Sequence, residues 1–200
     1  DKGYKYYVGV DPAISTDGDY NVITVLEVDE NMNKTIVHVD RAKNVEFREN
    51  IDKIRLIGKI FEPEEILYET NTFAKAFTQE LRNVSDLNVT DFNTTRKRKQ
   101  EIILNLQMNI ENGKINFPYG DNSSKKLTNM LIEELSMFSI THSGKFEGVG
   151  AHDDLVMSLA LANAATQNSQ DVFMLLDDMG LFDSPKPTNN SLGGMLGLNF

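Results

Sequence analysis

Short runs of apolar and β-branched residues, separated by polar turns, occupy the first forty positions of the chain. Residues 4–10 are aromatic and β-branched and end at Asp11-Pro12, where the missing proline N–H closes a strand. Residues 21–28 predict a second strand, with Val22, Thr24, Leu26 and Val28 set against Ile23 and Val25. After a polar turn at 29–33, residues 35–40 predict a third, completing an antiparallel meander. The period then changes. Between 47 and 61, Ile51, Ile54, Ile57 (or Leu56) and Ile60 recur every three to four positions, the spacing a helix turns into one buried stripe, and Pro63 ends it. Residues 65–69 are too short and too apolar for anything but a buried central strand, and 73–81 return to helix. A short strand is expected around 88–90 and a helix over 97–112, with Thr94 and Thr95 as capping residues and Gly113 as its stop. Helix is again expected over 123–135, a hairpin over 136–148 around His142-Ser143-Gly144-Lys145, and a last helix over 153–165.

Strands first and helices interleaved afterwards define an α/β fold with a central mixed sheet, an antiparallel meander plus parallel strands, flanked by helices. Two hundred residues suit one domain, here 1–167. Residues 168–200 are expected to form a tail, helical over 171–182 and then flexible, because Pro185, Pro187, Gly193, Gly194 and Gly197 give 184–200 a linker composition. The sequence opens on Asp1 rather than Met and is expected to be a fragment or a processed product.

Composition narrows the chemistry. With no cysteine there is no disulfide framework, thiolate nucleophile or cysteine-ligated metal. No apolar run approaches the roughly 20 residues needed to span a bilayer, so no membrane association is expected. Neither a phosphate-cradling Gly-x-x-x-x-Gly-Lys-Ser/Thr loop nor a Gly-x-Ser-x-Gly elbow occurs. The formal charge of -10 argues against a broad nucleic-acid face, yet residues 96–99, Arg96, Lys97, Arg98 and Lys99, form one dense basic run. That run begins a helix, the unfavourable end for its dipole, which is easier to understand if phosphates bind there. Asp29, Asn31, Asn33 and Asp40 imitate a calcium loop, but Lys34 stands where glycine is required and strands flank it, so a hairpin turn is expected.

Three places put acid at the end of an apolar element: Asp11 after the first strand, Glu69 after the fourth, and Asp153-Asp154 at the start of the last helix. Taken singly each has an ordinary explanation, as turn former, surface ion pair or helix cap. Taken together, with the first and fourth strands as neighbours and the last helix crossing their edge, they converge. Converging carboxylates repel, and a hard divalent cation that prefers oxygen ligands, magnesium or manganese, relieves the repulsion. One ion is expected and a second is compatible; two ions about 3.5–4 Å apart clamp the attacking and departing oxygens of a phosphoryl displacement. Asp153 and Asp154 lie about 100° apart on a helix, so one of them ligates squarely and the other sits beside it. His152 is a candidate proton shuttle or added ligand.

Four segments carry a family resemblance: Tyr7-Val8-Gly9-Val10-Asp11-Pro12-Ala13, Gly18-Asp19-Tyr20-Asn21-Val22-Ile23, Leu67-Tyr68-Glu69-Thr70-Asn71, and Ala151-His152-Asp153-Asp154-Leu155-Val156-Met157-Ser158-Leu159-Ala160. In order and spacing they resemble the C-terminal nuclease domain of the large terminase subunit of tailed bacteriophages, over about residues 4–165. The resemblance implies a ribonuclease H-like fold and a metal-dependent DNA endonuclease that cuts concatemeric viral DNA during genome packaging, using magnesium or manganese, with two ions expected. It implies that Asp11 is the first-strand acid, Glu69 the second, and the Asp153-Asp154 pair the acid of the last helix, with Asp154 favoured as the ligand. Asp19 matches a position near the site and is a possible outer contact. It also implies double-stranded DNA as substrate, an N-terminal packaging ATPase domain absent from these residues, a small terminase subunit and a portal protein as partners, and the host cytoplasm as location. Arg96, Lys97, Arg98, Lys99 and Lys145 are expected to steer the DNA backbone. The competing readings are a Holliday-junction resolvase-like nuclease and a non-catalytic DNA-gripping or docking module.

Overall fold

The computed structural model of the chain describes residues 3–13, 20–70, 74–140, 146–148 and 153–167, with the side chains of 74, 137–140 and 146–148 outside that description. The expected tail, and the expected residues Asp19, Lys145 and His152, therefore lie outside the described residues.

The elements follow in the order β1 (Lys5–Asp11), β2 (Asn21–Val28), β3 (Lys34–Ala42), α1 (Phe47–Phe61), β4 (Glu65–Thr70), α2 (Ala74–Val84), β5 (Val89–Asn93), α3 (Arg96–Glu111), β6 (Ile115–Asn116), α4 (Asn122–Met137), β7 (Phe138–Ile140), β8 (Phe146–Gly148) and α5 (Asp154–Ala165). A six-stranded sheet runs β5-β4-β1-β2-β3-β6, and β7 and β8 pair separately as the expected hairpin. The meander β1-β2-β3 is antiparallel, whereas β4 joins β1, β5 joins β4 and β6 joins β3 in parallel. Strand β6 is new relative to the sequence expectation. Two residues, Ile115 and Asn116, are too few to show a period, and only their pairing to Lys34 and Thr35 makes them a strand.

Strand alternation divides the core into two layers. Val8, Val10, Ile23, Val25, Ile66 and Tyr68 point toward α1 and α2. Val22, Leu26, Leu67 and Phe92 point the other way, toward α3, α4 and α5. On α1 the buried stripe is Ile51, Ile54 and Ile57, continued by Gly58, which packs on Leu87. Ile60 is 59% exposed and Leu56 58%, which corrects the expected stripe. The contact turns onto Gly58 because only a residue without a side chain lets Leu87 approach there. Helix α3 starts where the sequence indicated: the Thr95 hydroxyl accepts the N–H of Arg98. The 29–33 segment is a hairpin turn, in which Asp29 Oδ1 accepts the N–H groups of Asn31 (2.9 Å) and Asn33 (2.8 Å).

Helix α5 is apolar on all sides and almost wholly buried, as a helix must be when it lies between a sheet and two further helices. It can reach the sheet because Gly9 faces it. A Cβ at Gly9 would collide with the Ser158 carbonyl oxygen and the Ala162 nitrogen. The Ser158 hydroxyl bridges the gap, donating to the Gly9 carbonyl (3.0 Å) and lying 2.9 Å from Thr24 Oγ1. Since Ser158 lies over Gly9, the start of α5, one turn earlier, projects over the carboxyl end of β1.

Candidate active site

Parallel pairing sets Val10 beside Tyr68, so Asp11 and Glu69, one residue further on each strand, finish neighbouring strands. Asp11 shares a face with Gly9, two residues before it, and that face looks toward α5. Asp153 and Asp154 arrive from the first turn of α5. The four acids expected from sequence are thus brought to one place, at the carboxyl ends of β1 and β4.

Asp11 feels the other three acids. The Asp11 carboxyl is held well above the usual carboxylate range, first by burial, then by the charge of Glu69 and a hydrogen bond to it, and finally by Asp154 and Asp153. By surface area Asp11 is partly buried. Asp153 takes a different partner, Lys99 Nζ at 2.9 Å from its Oδ2. Asp154 Oδ2 accepts the backbone N–H of Tyr20 at 3.3 Å. A proton, an ammonium group and a backbone donor each offset part of the like-charge repulsion. Among the described residues no three histidine, aspartate or glutamate side chains close round one point as a ready-made metal cage.

Within the basic run, Lys99 is aimed at the acids. Lys97 turns back along α3 to Glu101 (3.8 Å). The Arg98 guanidinium lies 4.1 Å above the Phe92 ring, and its Nη1 donates to the Asn93 carbonyl. Arg96 is exposed at the first residue of α3.

Two residues that sequence reasoning did not single out stand behind the acids. Glu134 on α4 is buried, and its Oε2 accepts the N–H groups of Leu155 (2.9 Å) and Val156 (3.3 Å). Its Oε1 lies 3.6 Å from the Arg41 guanidinium, which is stacked 3.4 Å over the Tyr20 ring. Burial pushes the Glu134 carboxyl up, against the opposing pull of the two amides and Arg41. The signal in the sequence was a glutamate three residues after Leu131, in the apolar phase of its helix. A roomy groove of about 600 Å³, lined by Arg55, Glu62, Pro63 and Asn88 among others, lies at the opposite ends of the strands.

The profile of the family described as "Terminase RNaseH-like domain" matches residues 8–165. Among solved structures, the large terminase nuclease from thermophilic phage G20c is 25% identical, with a TM-score of 0.64, over 80% of this chain and 82% of that one. The same nuclease with bound magnesium gives 24% identity and a TM-score of 0.65, over 82% of each chain, and it is also known with bound cobalt and with bound zinc. The HK97 bacteriophage large terminase shares the fold at 11% identity and a TM-score of 0.62, over 82% of this chain and 40% of its own length. Among curated protein sequences none matches this chain. The mixed sheet, its strand order and the match across nearly all the described residues lead to one conclusion: the chain belongs to the terminase RNase H-like domain family.

Proposed function

We propose that this domain is a metal-dependent DNA endonuclease that cuts concatemeric viral DNA during genome packaging. The observation that carries the proposal is the meeting of Asp11, Glu69, Asp153 and Asp154 under the first turn of α5. Family membership supports a nuclease role in packaging, and the metal-bound G20c relative supports the use of a divalent ion.

The donor set fits magnesium or manganese. It is entirely oxygen, and a carboxyl as immersed as Asp11, with three acids acting on it, is an environment in which a hard cation replaces a proton favourably. Asp11, Glu69 and Asp154 hold the ions in this reading, two in number, with Asp153 beside them. When bound, the ions supply an activated water and neutralise charge building on the phosphate. The chain's own residues do the rest. Asp11, hydrogen-bonded to Glu69, would release its proton to solvent as a cation takes its place. Lys99 stands at the rim of the acids, where an ammonium group can meet a backbone phosphate. The amino end of α5, with its partial positive charge, tempers the repulsion between the acids. His152 serves as proton carrier, Asp19 as an outer contact, and Arg96, Lys97, Arg98 and Lys145 as backbone contacts in the same proposal. Double-stranded DNA as substrate, a packaging ATPase, small subunit and portal as partners, and action in the host cytoplasm belong to the same proposal.

Supercoiled plasmid incubated with the chain and manganese tests it. Nicking is expected to require the metal and to fall at least about a hundredfold in Asp11→Asn, in line with the loss of a metal ligand or its outer partner. An Asp11→Asn variant as active as the parent ends the proposal.

A further inference from the structure

Helix α5 carries Asp154 yet has no side-chain cap of its own. Asp153 occupies the capping position with φ −128° and ψ 15°, and its side chain makes no capping bond, being engaged by Lys99 instead. The first amides of a helix need acceptors when buried. Here the acceptor comes from another helix: Glu134 Oε2 takes the N–H groups of Leu155 and Val156, the two residues directly after Asp154. The other oxygen of Glu134 faces Arg41, Arg41 is stacked on Tyr20, and the Tyr20 N–H donates to Asp154 Oδ2. The turn bearing Asp154 is therefore gripped from α4 on its amide side and from the Tyr20 backbone on its carboxylate side, with Arg41 touching both grips.

We infer that Glu134 is a positioning residue of the metal centre: by capping α5 from α4, with Arg41 linking it to the segment entering β2, it fixes where the Asp154 carboxylate stands relative to Asp11 and Glu69. This rests on the reading that these acids hold a divalent ion. Glu134 acts through α5 and touches neither ion nor substrate. Its carboxylate would serve poorly as a ligand, because both oxygens are turned to protein partners.

The test is manganese binding by titration calorimetry on the full chain, alongside its melting transition. The parent and Asp11→Asn are run first: a parent that binds no manganese, or an Asp11→Asn that binds like the parent, overturns the metal reading itself and leaves nothing for Glu134 to position. With that reading standing, Glu134→Ala is expected to bind manganese at least tenfold more weakly while keeping a cooperative melt. Glu134→Gln, whose carbonyl accepts the same two N–H groups, is expected to stay within threefold of the parent. Plasmid nicking by Glu134→Ala is expected to recover as manganese is raised, since the defect lies in placing a ligand and not in the chemistry. Should Glu134→Ala lose its melting transition, Glu134→Asp, which keeps the charge beside Arg41 but withdraws it from the amides, is read by the same tenfold criterion. A folded alanine or aspartate variant with parental manganese affinity overturns the inference, and so does a glutamine variant as weak as alanine.

Discussion

In the folded chain the Asp11 carboxyl holds its proton more tightly than an ordinary aspartate because it gives up most of its water and meets three other acids, each of which penalises a further negative charge. The linkage has a definite sign. In the unfolded chain Asp11 titrates at about 4, as an ordinary aspartate does, whereas in the fold it titrates well above that. The folded state therefore binds the proton more tightly. Its contribution to stability is complete below about pH 4 and is lost as pH rises through the folded-state value. Without metal, the Asp11 contribution is expected to make the chain progressively less stable toward denaturant as pH rises above about 4, and Asp11→Asn, which has no proton to lose, to flatten that decline. Urea melts of both proteins at several pH values check this, and an equally steep decline in the variant contradicts it. Asp11 and Glu69 were legible as candidates because each ends an apolar run, where a carboxylate is costly without a purpose. Glu134 was not, since a single acid in a helical stripe looks the same whether it caps a neighbour or reaches solvent.

Helix α5 and strand β1 are in such close contact that one hydrogen atom at Gly9 is the spacer between them. The Gly9→Ala substitution inserts a methyl group against backbone on the facing helix, and backbone cannot rotate away. A loss of about 3 kcal/mol or more is expected, at or beyond the upper end for overpacking. Because α5 would be lifted with Asp154 on it, metal affinity should fall together with stability, and denaturant melts with and without manganese read both. Most element types were visible from local pattern: β2 and α1 have the expected bounds, and the 97–112 helix differs by a residue at each end. The stripe of α1 was misjudged at Ile60 for a tertiary reason. Periodicity tells which residues share a face, but the width of the buried face depends on the neighbour, and here Leu87 seats on Gly58 and leaves Ile60 in water.

Across the whole molecule, the sheet order is what makes a site possible. The chain returns after the meander and α1 to lay β4 on the free edge of β1, and its last described helix then covers β1, β2 and β4 together. Acids separated by more than fifty residues in sequence, Asp11 from Glu69 and Glu69 from Asp153, thereby become neighbours. Ligands that bind only the folded arrangement stabilise it. At a metal concentration a hundred times the dissociation constant the gain is about 2.7 kcal/mol, or about 5–10 °C in melting temperature for a domain of this size. Magnesium or manganese is expected to raise the melting temperature by that order, EDTA to reverse it, and binding to release protons as Asp11 ionises. Calorimetry in buffers of different ionisation enthalpy measures the release, and a buffer-independent heat contradicts it. Among the described residues no helix is long and apolar enough to cross a membrane.

By itself the sequence determined the periods that choose helix or strand, the Thr95 cap, the turn at 29–33, and which residues had the chemistry to matter, since all of these depend on neighbours within a few positions. Tertiary structure decided which of those residues meet. It turned Lys99 of the basic run 96–99 toward Asp153, brought Glu134 from α4 to the amides of α5, and made a strand of Ile115 and Asn116. Each of these depends on the distance between segments remote in sequence, a quantity set by how the layers pack and one that no local pattern contains.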